Sequence, residues 1–271
     1  MTRRAPAYRL LSRLGTRDLA ILDTLQEFRL ASGSQLRRLH FAGGQPATQA
    51  RKSRAVLQRL TQLNLLTRLE RRVGGIRSGS EGYVYGLSGL GHAVLDLGEP
   101  EPRRHRGVPD TKPAFEAHVL AVSELAVCLT ERERTGAFTV EELRAEPGCW
   151  RWFAGIGGDR RTLKPDAFVR LGVGDYELAW FVEMDMASES LPTIQRKCSV
   201  YVDYWRSGVE QRASGLFPRV WWLVPHARRL QTIGQVIRRL PEEARELFAV
   251  ALHDRAPELL AQLPNTEGGA L

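Results

Sequence analysis

A chain of 271 residues, 43% hydrophobic and 26% charged, has enough apolar material for one large core or two smaller ones. Its formal charge of +8 is uneven: residues 1–110 hold 19 Lys and Arg against 9 Asp and Glu, and residues 111–271 hold 20 against 22. Cys128, Cys149 and Cys198 are far apart with no C-x-x-C pair, which excludes a disulfide framework and a cysteine zinc site and fits a reducing compartment. No apolar run approaches bilayer-spanning length, and Met-Thr-Arg-Arg does not open a signal peptide, so a soluble cytoplasmic protein with no membrane partner is expected.

The first predicted helix covers residues 16–30, with Thr16 as its cap and Leu19, Ile21, Leu22, Leu25 and Phe28 at helical spacing. Ser32-Gly33-Ser34 breaks that pattern, a short second helix carries Leu36 and Leu39, and a third runs from Ala47 to about Leu63. On the third helix Val56, Leu57, Leu60 and Leu63 form one side, while Arg51, Arg54, Gln58 and Arg59 fall mostly on the other. Residues 65–72 and 82–87 read as two strands around a Gly- and Ser-rich tip at 73–80. Three helices with a basic third one, followed by a hairpin, outline a winged helix-turn-helix over residues 1–97. Arg68, Arg71, Arg72 and Arg77 join the third-helix residues as candidate DNA contacts.

Residues 98–113 hold four prolines and the run Arg103-Arg104-His105-Arg106 and read as a linker. From there the pattern predicts a helix at 114–134 and a strand at 137–143. A loop or hairpin with Trp150, Trp152 and Phe153 follows, and then two apolar strands joined at Gly172-Val173-Gly174-Asp175. A helix at 191–212, a strand at 219–224, a helix at 228–240 and a strand at 247–252 complete the pattern. The fold class expected for residues 114–271 is α/β (α+β): a mixed sheet flanked by helices.

Pro165-Asp166 opens the first of the two joined strands, and Glu183 and Asp185 end the second. Residues two apart on a strand share a face. Adjacent strands would therefore bring three carboxylates together, and hard oxygen donors at that density suit Mg²⁺ or Mn²⁺. Lys197, Tyr201 and Tyr204 share one face of the following helix by their spacing. Tyr201 reads as core packing, whereas Tyr204 is left open between packing and catalysis. Gly155-Ile156-Gly157-Gly158 does not sit between a strand and a helix and is no nucleotide-binding fingerprint.

Pro165-Asp166 and Glu183 resemble the motif of the PD-(D/E)xK nucleases, the restriction-endonuclease-like superfamily. Asp185 stands where that motif has lysine, which leaves Lys164 or Lys197 to supply the cation. The E-x-D strand end, the downstream lysine, the tyrosine-bearing helix and the basic front module more narrowly resemble the replication-relaxation family, over roughly residues 16–253. This resemblance implies a plasmid or mobile-element protein that nicks or relaxes double-stranded DNA with Mg²⁺ or Mn²⁺. Asp166, Glu183 and Asp185 would be metal ligands, and Lys197 and Tyr204 further catalytic candidates. Other transfer or replication proteins are implied partners, and homodimerisation is left open. The competing expectations are a non-catalytic DNA-binding regulator or accessory protein with a degenerate nuclease fold, and a protein-interaction adaptor.

Overall fold

In a computed structural model, which describes residues 4–69, 83–97, 112–155 and 157–263, the chain is a mixed α+β protein with two units, residues 1–127 and 128–271. The first unit runs α1 (Arg4–Leu11), α2 (Thr16–Phe28), β1 (Leu30–Ser32), α3 (Gly33–His40), α4 (Pro46–Gln62), β2 (Leu66–Leu69), β3 (Val84–Leu87) and α5 (Gly89–Leu95). Its three strands form an antiparallel sheet in the order β1-β3-β2. Ile21, Leu22 and Leu25 of α2, Leu36 of α3, and Leu57 and Leu60 of α4 are buried together in one cluster. This is the apolar spacing of the sequence realised as packing.

Local chemistry sets the element ends. The cap of α2 is Gly15, one residue before the expected Thr16, because the Asp18 carboxylate reaches back to accept the Gly15 N–H at 3.0 Å. Ser32, expected only as part of a break, ends β1 and caps α3. Its Oγ accepts the Gln35 N–H at 3.2 Å, and its own N–H donates to Gln35 Oε1 at 2.9 Å, a reciprocal capping box. β1 and α1 were not expected, since three residues of strand and one short amphipathic helix leave too little period to read. The tip at 73–80, with Arg71, Arg72 and Arg77, lies outside the described residues.

Helix α6 (Pro113–Glu133) begins in the first unit. Ser123 Oγ donates to Leu30 O at 2.7 Å, Gln35 Nε2 donates to Leu120 O at 2.9 Å, and Arg38 pairs with Glu124. The division between units accordingly falls within α6, after Val127, whereas the expected linker 98–113 lies almost wholly outside the described residues. Helix α6 is long and apolar enough to cross a bilayer, contrary to the expectation that no apolar run approaches that length. Val119, Val122, Leu125, Val127 and Leu129 are nevertheless buried within the protein, which is how a core helix uses such a sequence.

The second unit comprises β4 (Thr139–Ala145), β5 (Arg151–Ala154), β6 (Arg160–Leu163), β7 (Ala167–Val173), β8 (Tyr176–Met184), α7 (Leu191–Ser207), α8 (Val209–Ser214) and β9 (Arg219–Val224). It continues through α9 (Ala227–Ile237), α10 (Glu242–Arg245), β10 (Phe248–Leu252) and α11 (Ala256–Leu260). Its sheet has the order β10-β9-β8-β7-β4. The β4-β7-β8 side is antiparallel and the β8-β9-β10 side parallel. A tight turn joins β7 to β8 and the β5–β6 hairpin lies between β4 and β7, while each parallel step needs a crossover, supplied by α7–α8 and then by α9–α10. Phe168, Phe181, Val220, Trp222 and Val224 are buried in one cluster with Ile194, Cys198, Tyr201 and Val202 of α7 and Ile233, Val236 and Ile237 of α9. The helix expected over 191–212 is broken at Gly208, whose φ of 66° ends α7 in a left-handed cap before α8 starts.

Gly91 marks the tightest approach in the first unit: a Cβ there would lie 2.3 Å from the Leu65 carbonyl oxygen, which already accepts the Ser88 N–H at 3.0 Å. Gly91→Ala is therefore expected to lower unfolding free energy by about 1–3 kcal/mol, read as a lower denaturant midpoint. An unchanged midpoint would contradict this packing.

Candidate functional site

The antiparallel pairing of β7 and β8 sets Ala167 against Val182 and Phe168 against Phe181. Asp166, immediately before β7, donates its N–H to Val182 O at 3.0 Å, and its Oδ2 accepts the Met184 N–H at 2.7 Å. Its carboxyl is thus fastened to the backbone on the C-terminal side of Glu183, and the negative charges of the two residues act on each other. Phe181 and Glu183 are two apart on β8, so Glu183 emerges on the face that α7 covers.

Glu183 is only 1% exposed, and both of its oxygens are met from α7. Lys197 Nζ donates to Oε2 at 2.9 Å and Tyr201 Oη donates to Oε1 at 2.7 Å. Lys197 and Tyr201 are four apart, the spacing that aligns two side chains on one helix face. Burial first, and the Asp166 charge second, push the Glu183 carboxyl up to about 7, against the pull of Lys197 and Tyr201. Burial works against the charge on Lys197, but Glu183 and Asp166 outweigh it and hold the ammonium above its ordinary range. A second carboxylate, Glu189 Oε1, lies 3.0 Å from the same Nζ.

Asp185 meets a different fate. Arg229 grips it in a two-pronged pair, Nε to Oδ2 at 2.7 Å and Nη2 to Oδ1 at 2.8 Å, and the Ala187 N–H adds a third bond at 2.9 Å. The Asp185 side chain is 0% exposed and that of Arg229 11%. His253 Nε2 lies within hydrogen-bond distance of both Asp185 O and Leu223 O. The expected trio of carboxylates is thus a pair, Asp166 and Glu183, with a neighbouring acid committed to arginine. Among the described residues no three acid, histidine or cysteine side chains are grouped to surround one ion.

Tyr204 is not brought to these acids. Its hydroxyl donates to Glu210, which Arg151 Nε also approaches at 3.3 Å, and its ring packs 5.1 Å from Phe153 and 5.7 Å from Phe217. Burial first, then the Glu210 contact, raise its phenol above the usual range. Tyr201, expected only to fill the core, does so and also holds Glu183. Its spacing from Lys197 was the visible signal, whereas no local pattern marked Arg229 as the partner of Asp185.

In the first unit Arg51, Arg54 and Gln58 are exposed on α4. Arg59 instead pairs with the buried Asp18 at 2.5 Å, tying α4 to the start of α2. Arg68 is exposed on β2 and stacks over the Tyr83 ring at 4.0 Å. Lys164, the other candidate lysine, stacks over Trp150 at 4.6 Å.

A family model described as replication-relaxation matches residues 22–220, well over half of the chain. That span contains Asp166, Glu183, Asp185, Lys197 and Tyr201 and ends before Arg229. Comparisons with curated proteins and with solved structures return no match.

Two stability measurements check this geometry. Glu183 is neutral in both folded and unfolded chains below its ordinary value of 4.5, but between there and about 7 only the unfolded chain ionises. The folded state therefore loses stability as pH rises through that window, on the order of 3 kcal/mol in full. Chemical unfolding in EDTA should show Glu183→Gln gaining on the native chain between these pH values and levelling above them. A difference independent of pH would remove the buried-acid account. Arg229→Ala should cost about 3–5 kcal/mol by leaving Asp185 buried and unpaired, and a loss within the scatter of surface variants would contradict the pair.

Proposed function

Because the chain belongs to the replication-relaxation family, and is thereby a replication-related protein of mobile elements, we propose that it binds double-stranded DNA and nicks it by metal-dependent phosphodiester cleavage. The observation that carries this reading is the Asp166–Glu183 pair with Lys197 seated on Glu183. The resemblance to the PD-(D/E)xK motif, with the lysine moved onto the following helix, supports it. Two neighbouring carboxylates, one of them raised by burial, fit Mg²⁺ or Mn²⁺, which are held by one or two protein carboxylates and keep several waters. Asp166 and Glu183 are the residues that would hold the ion, and Asp185 is outside the set because a two-pronged arginine pair and the Ala187 N–H answer its charge within the fold. The chemistry such an ion supplies when bound is charge neutralisation at the scissile phosphate and a lowered pKa for the attacking water.

The protein's own groups do the rest. Lys197 stays cationic and can steady negative charge growing on the phosphate. Tyr201 fixes the Glu183 rotamer by donating to Oε1. Tyr204, buried and bonded to Glu210, is unsuited to forming a covalent link with DNA, which favours water as the nucleophile. The order α2, β1, α3, α4, β2, β3 supports a winged helix in the first unit. There Arg51, Arg54, Gln58 and Arg68 would meet DNA, while Arg59 positions α4 through Asp18.

The grip of Arg229 on Asp185 favours a second reading, a DNA-binding accessory protein whose nuclease-like site has lost activity. Supercoiled plasmid with Mn²⁺ separates the two. Cleavage is expected to fall to background in Asp166→Ala and Glu183→Gln, to drop about a hundredfold or more in Lys197→Ala, and to persist in Tyr204→Phe. No nicking, together with calorimetric Mn²⁺ binding that is absent or indifferent to Asp166→Ala, would install the second reading. For duplex binding, replacing Arg51 and Arg54 by Ala should reduce the slope of log affinity against log salt by about 2. An unchanged slope would remove α4 from the DNA interface.

A further inference from the structure

The hairpin β5–β6 lies immediately upstream of Asp166, and its two faces are unlike. Pairing sets Arg151 against Leu163, Trp152 against Thr162, Phe153 against Arg161 and Ala154 against Arg160. Phe153 and Leu163 point inward and are buried in the core of the second unit. The alternate residues Trp152, Arg160, Thr162 and Lys164 make the outward face, with Trp150 beside them. Trp152 is 53% exposed, an area of indole that folding alone does not require at the surface. The Arg160 guanidinium lies over the Trp152 ring at 4.4 Å, and the Lys164 ammonium over Trp150 at 4.6 Å. Among the described residues neither cation forms an ion pair, in contrast to Arg161 on the inward face, which pairs with Asp159 and Asp203.

We propose that this outward face is a stacking platform for single-stranded DNA, with a base on Trp152 and backbone phosphates on Arg160 and Lys164. An exposed indole whose neighbouring cations form no ion pair among the described residues matches the chemistry of an unpaired strand, which offers a base π-face and a phosphate at every step. A duplex hides its base faces and gains little from indole. Only Lys164 and Pro165 separate the end of β6 at Leu163 from Asp166, a reach of about 10 Å at most. A strand on the platform would therefore run beside the Asp166–Glu183 pair. The inference rests on the reading of DNA as the substrate and adds that the segment next to the cut is held unpaired.

The test is fluorescence anisotropy of a labelled short oligothymidylate with the full chain in EDTA, where no cleavage occurs. Trp152→Ala should weaken single-strand binding about tenfold, within the range for one stacked base. Trp152→Phe should restore most of it, and Arg160→Gln should weaken it several-fold, while duplex affinity stays at the native value in all three. Native single-strand affinity in Trp152→Ala, or equal losses for single strand and duplex, would overturn the platform. Plasmid nicking measured separately keeps the two readings apart. Trp152-dependent strand binding without nicking overturns the cleavage reading alone, and nicking with Trp152-independent strand binding overturns this inference alone.

Discussion

A carboxylate almost sealed from water, set next to a second carboxylate, is the constraint on which the second unit depends. Glu183 is 1% exposed, so each of its oxygens must find a donor or forfeit a hydration worth several kcal/mol. Helix α7 answers with Lys197 and Tyr201 one turn apart, and that contact sets where α7 crosses the sheet. The same helix sends Ile194, Cys198 and Val202 into the apolar cluster beside it. Packing and polar satisfaction thus select one orientation of the helix. Compensation stops short of complete, since burial and the Asp166 charge keep the Glu183 carboxyl raised to about 7.

Asp185 shows how different the outcome can be two residues along. It meets an arginine fork of matching geometry, with Ala187 N–H as a further donor, and its charge is answered within the fold. The pair joins the end of β8 to the first turn of α9, while His253 contacts the backbone at Asp185 and Leu223. A structural pair flanking an incompletely balanced one gives the Asp166–Glu183 site a rigid border. It also keeps Asp185 from adding a third repelling charge beside that pair.

Basic residues in the first unit divide in the same manner. Arg59, itself exposed, is held by the buried Asp18 and serves the fold, whereas Arg51 and Arg54 stand exposed on α4 outside that pair. Asp18 also accepts the Gly15 N–H, so one buried acid both starts α2 and anchors α4. The cations of the β5–β6 hairpin divide by strand parity: Arg161 pairs with acids on one face, and Arg160 and Lys164 lie on indole rings on the other. Net charge locates a basic region, but only pairing distinguishes an exposed cation from one already engaged by an acid.

Element type and order were legible in the residues themselves. Apolar spacing located α2, α4, α6 and α9, apolar runs located β7, β8 and β9, and Pro165-Asp166 with Glu183 pointed to one sheet end. These signals are local, carried by periods of two or 3.6 residues within a short window. Short elements such as β1 and α11 fall below that window, and the break at Gly208 depends on a φ of 66° that spacing does not encode. Pairing across the fold was decided only by tertiary structure. Lys197 meets Glu183 over a separation of 14 residues and Arg229 meets Asp185 over 44, and Tyr201 rather than Tyr204 reaches an acid of the site. Strand register and helix packing bring those groups together, so the acids themselves could be read from the chain, but which of them an arginine answers and which a lysine and a tyrosine could not.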